Sequence, residues 1–204
     1  KRAVPYMHAR GIRHFIDFGS ALPTCDNTHL VVEALDQNGK IVYSDIDPLT
    51  VAYGQEILQG KSNVAYLQCN AAEPRQLLDA PETLKLLGAE RRVGILYLSL
   101  AQFLSDEQIR QSFQILADWC APGSFLMLNM PSEHWKTDPA LQAVAETYRR
   151  SNLTGYFRTR TEIPELVRPW QVAPEGIVDN AYWNLATPPS TYQVVGYSMM
   201  LKAL

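Results

Sequence analysis

Short apolar runs alternate with longer amphipathic stretches along most of this chain. "HFIDF" (14–18) predicts a first strand, and a helix is expected from Asp26 to Leu35, with Leu30, Val31, Ala34 and Leu35 on one face. "KIVYS" (40–44) predicts a second strand. Asp47-Pro48 then opens a helix, the aspartate capping free N–H groups and the proline sitting where its missing donor costs nothing. "NVAYLQC" (63–69) predicts a third strand, and "VGILYLS" (93–99) a fourth, apolar enough to be buried on both faces. A helix from about Ser105 to Cys120 stops at "APGS". "FLMLNM" (125–130) follows as a fifth strand, with a helix around Ala140 to Arg150 after it. The Pro-rich "ATPPST" (186–191) leads to a late strand within "TYQVVGYSMMLKAL" (191–204).

Repeated alternation of strand and helix predicts an α/β fold, a mostly parallel sheet with helices on both faces. Right-handed crossovers bring the loop-bearing strand ends to one edge, where such sheets bind ligands. The polar residues that follow the strands are therefore the ones to examine: Gly19, Asp45, Asn70, Ser99 and Asn129.

Composition narrows the function classes. At 204 residues, 47% hydrophobic and 19% charged, the chain fits one globular domain with a full core. The net charge is −3 and no Lys/Arg cluster exceeds a pair such as Arg91-Arg92, so neither a nucleic-acid footprint nor a membrane-binding patch is expected. "VGILYLSLAQFL" (93–104) is the longest uncharged apolar run, and it falls short of the roughly 20 residues a span needs. Cys25, Cys69 and Cys120 lie far apart with no metal or redox spacing, which fits a reducing cytoplasm.

At the predicted edge, Asp17 and Gly19 close the first strand. Glycine lets a ligand approach the backbone, and the following helix offers N–H donors, although an ordinary turn with Asp17 bonded to the loop would read the same way. In "SDIDP", Asp45 stands at the strand tip, where a carboxylate accepts from ribose hydroxyls. Asp47 reads as a helix cap, and Ile46 is placed to pack on an adenine face. A metal-binding reading of the two aspartates lacks companion ligands. Asn70, beside Ala71, either accepts from an adenine amino group through its side-chain oxygen or caps the helix starting at Glu73-Pro74. Ser99 and Gln102 stand at the mouth of the fourth strand, where Gln102 orients a substrate or is simply solvated. His134, next to Trp135, is either a general base or an ordinary loop histidine.

"GIRHFIDFGSALPTCDNTH", "IVYSDIDP", "YLQCNAAEP", "ILYLSLAQFLSD" and "APGSFLMLN", with "RTRTEIPELV" (158–167) and "VVGY" (194–197), occur together in one order and spacing. In this the chain resembles the S-adenosyl-L-methionine-dependent methyltransferase family long catalogued as a domain of unknown function. That family reads roughly "FLDIGTGLPTxxNxHEVA", "VVYVDNDP" and "QADLRDP". The resemblance implies a class I methyltransferase fold, with a seven-stranded, Rossmann-like sheet whose last strand is antiparallel. It implies that Asp17, Gly19, Ser20 and the stretch from Leu22 to Thr24 form the cofactor loop. Asp45 would then bind ribose, Ile46 would flank adenine, Asn70 and Ala71 would face the adenine edge, and Ser99 would border the methyl end.

The chain departs from the family pattern at three positions: Ala21 replaces a glycine, Asn70 an aspartate, and Gln102 a frequent histidine. Ala21 is tolerated if its φ is negative. The family also carries a helical region ahead of the first strand, for which Lys1 to Arg13 stand here. The expectation is therefore one methyltransferase-like domain over 1–204 without that region. The corresponding function is methyl transfer to a small-molecule acceptor. The alternative is a cofactor-binding or interaction module of the same fold with little transfer activity. A nicotinamide enzyme is disfavoured because "GSALPT" stands where GxGxxG would be.

Overall fold

The computed structural model describes residues 2–24, 27–151, 153–185 and 195–204. Helix α1 (Ala3–His8) precedes β1 (His14–Phe18), α2 (Thr28–Leu35), β2 (Lys40–Asp45), α3 (Pro48–Ile57) and β3 (Val64–Gln68). Two short helices, α4 (Arg75–Leu78) and α5 (Pro81–Leu87), lead to β4 (Gly94–Tyr97). A 3-10 turn at Ala101–Phe103 then gives way to α6 (Asp106–Trp119), β5 (Phe125–Pro131), a second 3-10 turn at Glu133–Lys136 and α7 (Pro139–Arg150). The chain closes with α8 (Ile163–Leu166), β6 (Gln171–Val172), β7 (Val178–Asp179) and β8 (Gly196–Lys202).

The sheet runs β3-β2-β1-β4-β5-β8-β6, with β7 also paired to β8. Pairing is parallel from β3 through β5, and β8 runs antiparallel to β5. The expected class I arrangement is present, a parallel sheet with an antiparallel strand at its end; among the described residues eight strands pair, two of them only two residues long. β6 lies opposite Leu201 and Lys202 while β7 lies opposite Tyr197 and Ser198, so two fragments share the edge of β8 that β5 leaves open.

Period-two alternation sorts the strand side chains onto two apolar layers. Ile16, Phe18, Val42, Ile95, Tyr97, Leu126 and Leu128 pack under α4, α5, α6 and α8, against Leu78, Leu87, Phe113 and Leu166. Phe15, Ile41, Tyr43, Leu96 and Met127 face the other way, against Met7 of α1, Val32 of α2, Val51 of α3 and Trp183. Burial on both faces explains why these strands read as continuous apolar runs.

Several boundaries shift for local reasons. The helix expected from Asp26 begins at Thr28, and Cys25 and Asp26 lie outside the described residues, as does "ATPPST". The late strand is described from Gly196, residues 191–194 of the expected segment also lying outside. The fourth strand stops at Tyr97 because Ser99 turns to φ +54 and gives its N–H to the Asn129 side chain rather than to a neighbouring strand. α6 opens with a reciprocal cap, Gln108 N–H to Ser105 Oγ at 3.2 Å and Ser105 N–H to Gln108 Oε1 at 2.9 Å. No helix among the described residues is long and apolar enough to cross a membrane.

Candidate functional site

The register Phe18↔Ser44, Phe18↔Tyr97 and Asp45↔Gln68 brings the carboxyl ends of β1, β2, β3 and β4 side by side. Gly19 has φ +62, where a side chain is strained, and a Cβ there would press on Leu100 Cδ1 at 3.2 Å, so glycine is the residue that suits this turn. The loop after it is tied to β2 and β3. Ser20 N–H donates to Ser44 O at 2.9 Å, Ala21 N–H to Asp45 Oδ2 at 3.1 Å, and Tyr66 Oη to Ala21 O at 2.9 Å.

Ala21 itself has φ +53. The expectation of tolerance rested on a negative φ, and the structure overturns that condition. An alanine is held in the left-handed region, which costs about 1–2 kcal/mol for a residue with a Cβ.

Asp17 is buried and accepts from the Thr28 hydroxyl at 2.8 Å. Burial raises its pKa from 3.8 to about 7, the Thr28 bond opposing the rise. Asp45 is half-buried at the strand tip, its two oxygens taking Ala21 N–H and, at 3.1 Å, Asp47 N–H. Asp47 accepts from Leu49 N–H, Thr50 N–H and Thr50 Oγ1, and these bonds hold its pKa below the ordinary value; it is the cap of α3. Ile46 between them is 63% exposed and Leu22 43%, leaving two apolar side chains bare beside the glycine turn.

Asn70 accepts from Ala72 N–H at 3.0 Å, a local turn placed ahead of α4 rather than a cap on it. One lone pair of its oxygen is therefore spent within the turn, leaving the other and its NH2 group. Ala71 is buried, its carbonyl taking the Ser112 hydroxyl at 2.7 Å and the Tyr97 hydroxyl at 3.1 Å. Thr24 is exposed.

At the β4 end, Gln102 is buried rather than solvated. Its Nε2 donates to Ser99 O at 2.8 Å, while Oε1 is buried without a partner among the described residues. Such an orphan acceptor costs about 1–3 kcal/mol. Ser99, Gln102 and Asn129 line a cleft of about 160 Å³ together with Trp135, Tyr148 and Asn180. Trp135 enters this lining and His134 does not; His134 is exposed, with Nδ1 3.1 Å from Ser132 Oγ. No group of three or more His, Cys, Asp or Glu side chains among the described residues could hold a metal ion.

Two participants were given no role by the sequence, although Arg158 opens the quoted stretch "RTRTEIPELV". Arg158, 5% exposed, donates to Ala101 O at 3.0 Å, to Leu104 O at 2.6 Å and to Asp106 Oδ1 at 2.8 Å, so it fastens the turn that carries Gln102. Asn180 comes from the stretch between 168 and 185, to which the sequence pattern assigns no element, and its Oδ1 accepts from Ser198 Oγ at 2.6 Å.

A family model described as S-adenosyl methyltransferase matches residues 1–201. A Thermobifida fusca protein provisionally called a methyltransferase superposes with a TM-score of 0.87 at 27% identity, over 99% of this chain and 77% of that one. A protein of the domain-of-unknown-function family 574 from Streptomyces avermitilis gives 0.88 at 24%, over 100% and 80%. A SAM-dependent methyltransferase from Methanosarcina mazei shares the fold at 0.65 and 9%, over 98% and 97%. No curated protein matches the chain.

Proposed function

The chain belongs to the S-adenosyl methyltransferase family, and from that premise we propose that it transfers the methyl group of S-adenosyl-L-methionine to a small-molecule acceptor at the β1–β4 edge. The observation that carries the reading is the meeting of Gly19, the Asp45 carboxylate and the bare Ile46 side chain at one sheet edge. Bound there, the cofactor supplies an electrophilic methyl on a sulfonium.

The chain's own residues do the rest. Gly19 admits the ligand backbone, Asp45 accepts from ribose hydroxyls and Ile46 covers an adenine face. Asp17 places a buried carboxyl beneath the turn, and Ser99 borders the reacting end. Asn70 offers its NH2 group and remaining lone pair to the adenine edge. Displacement at a sulfonium needs little acid–base help when the nucleophile is already basic; positioning and exclusion of water supply the rate. That fits a cleft whose lining holds neither carboxylate nor imidazole.

Calorimetry with S-adenosylmethionine and S-adenosylhomocysteine, against NAD, tests the reading. Both sulfur ligands should bind and NAD should not. Asp45→Ala should weaken binding by about 1.5–3 kcal/mol, the worth of hydrogen bonds to a charged group. Asp47→Ala should lower the unfolding midpoint and leave affinity alone. Exchanged phenotypes would reverse the two roles, and preferential NAD binding would defeat the proposal. A module that binds without transferring methyl is the alternative, favoured by the strained Ala21. It predicts cofactor binding with no demethylated product under any acceptor.

A further inference from the structure

The cleft beside Ser99 has a polar inventory that selects a ligand. Its carboxamides are fixed. Gln102 Nε2 is held by Ser99 O at 2.8 Å, and its backbone carbonyl is pinned by Tyr156 N–H at 2.7 Å. Oε1 is therefore a buried acceptor with no partner among the described residues, at the end of a side chain that is held at its Nε2 and is 6% exposed.

Asn129 and Asn180 are oriented the opposite way. Asn129 Oδ1 takes Ser99 N–H and Asn180 Oδ1 takes the Ser198 hydroxyl, leaving each NH2 group without a partner among the described residues. Trp135 spends its N–H on Val195 O at 2.7 Å and so offers only an apolar ring, nearly parallel (9°) to that of Tyr148. Among the described residues, no side chain lining the cleft carries a formal charge. A charged head would lose hydration there without an ionic partner.

Resting on the reading of this edge as a methyltransferase site, we propose that the cleft receives the acceptor's head group, and that this head is a neutral planar ring bearing a carboxamide- or lactam-like edge. Its N–H meets Gln102 Oε1 and its carbonyl meets the Asn129 and Asn180 amides. The ring lies against Trp135 and Tyr148. With no base in the lining, the accepting atom arrives with an available lone pair.

The test uses three single-ring compounds that differ in charge: benzamide, benzoate and benzylamine. Each is titrated by ligand-observed NMR into the full chain, with and without saturating S-adenosylhomocysteine. Benzamide should bind at least about tenfold tighter than either ion, a difference of about 1.4 kcal/mol. Gln102→Leu should erase the preference while S-adenosylhomocysteine affinity holds, which shows the fold and the cofactor edge intact. Gln102→Glu should move the preference toward benzylamine, which a purely structural glutamine would not cause.

Equal or tighter binding of either ion, no binding by all three, or a preference that survives Gln102→Leu would overturn the head-group class. Failure of S-adenosylhomocysteine to bind, with the benzamide preference intact, would instead overturn the methyl-donor reading and leave a carboxamide-selective cleft.

Discussion

Ala21 and Asp17 show how much of this site is decided one residue at a time. Ala21 keeps φ +53 because its N–H and C=O are both held, by Asp45 and Tyr66. Replacement by glycine removes the Cβ conflict but adds freedom to the unfolded chain, and the first effect is the larger. Ala21→Gly is therefore expected to stabilise the protein by about 1 kcal/mol in urea denaturation, with cofactor affinity changed less than about tenfold. A loss of stability would mean that the surrounding loop favours the alanine.

Asp17 gives a pH signature. Its carboxyl keeps its proton in the fold up to about 7, against 3.8 for the unfolded chain, because burial disfavours the charge. The native state thus binds more protons across that interval. The contribution of Asp17 to stability is whole below about pH 4 and is lost as pH rises through about 7. Asp17→Asn has no such proton to lose. Unfolding free energies measured from pH 4 to 8 should show the wild type losing stability relative to this variant as pH increases. Parallel curves would place the charge in water.

At the scale of elements, the site depends on how the turn after β4 is held. Ala101–Phe103 is a single 3-10 turn, too short to hold itself, and Arg158 bonds the carbonyls of Ala101 within it and Leu104 just after it from a segment distant in sequence. The planar fork of arginine reaches both carbonyls and Asp106 together, which a lysine ammonium does not. Arg158→Met should cost about 1–3 kcal/mol by leaving the buried Leu104 O unpaired, since Ala101 O keeps the Leu104 N–H. Hydrogen exchange should rise in residues 100–105 before the β1–β5 core. Protection unchanged in that turn would show the bonds to be dispensable. By contrast, α6 carries its own instructions, since the Ser105–Gln108 cap and the apolar face of Ile109, Phe113 and Leu116 are all local.

At the scale of the molecule, the proposed cofactor edge and head-group cleft sit on one continuous sheet, sharing the β4 end, with apolar layers on both faces. Binding at that edge stabilises the domain as a whole. S-adenosylhomocysteine at a hundredfold excess over its Kd should add about 2.7 kcal/mol to the unfolding free energy, in a single transition. Two transitions in calorimetry, only one shifted by ligand, would show that the β8 edge unfolds separately.

The chain alone determines the five parallel strands, the start of α3 and the limits of α6 and α7 to within about a residue, the Asp47 cap and the residues gathered at the edge. Each of these rests on neighbours a few positions apart: period-two runs, capping residues, and a glycine or carboxylate directly after a strand. The rest is settled only in three dimensions. β6 and β7 are two residues each and exist because β8 offers them an edge. The sign of φ at Ala21 follows from bonds to residues 24 and 45 positions away. Gln102 is buried rather than solvated because Arg158 and Tyr156 fold over its turn. Asn129 and Asn180 become donors because Ser99 and Ser198 occupy their oxygens. A periodic pattern records the buried face of α6 but not of α2, where His29 and Val32 are buried while Leu30 and Leu35 stay exposed, and a polar side chain's free atom is fixed by partners that only the folded chain brings within reach.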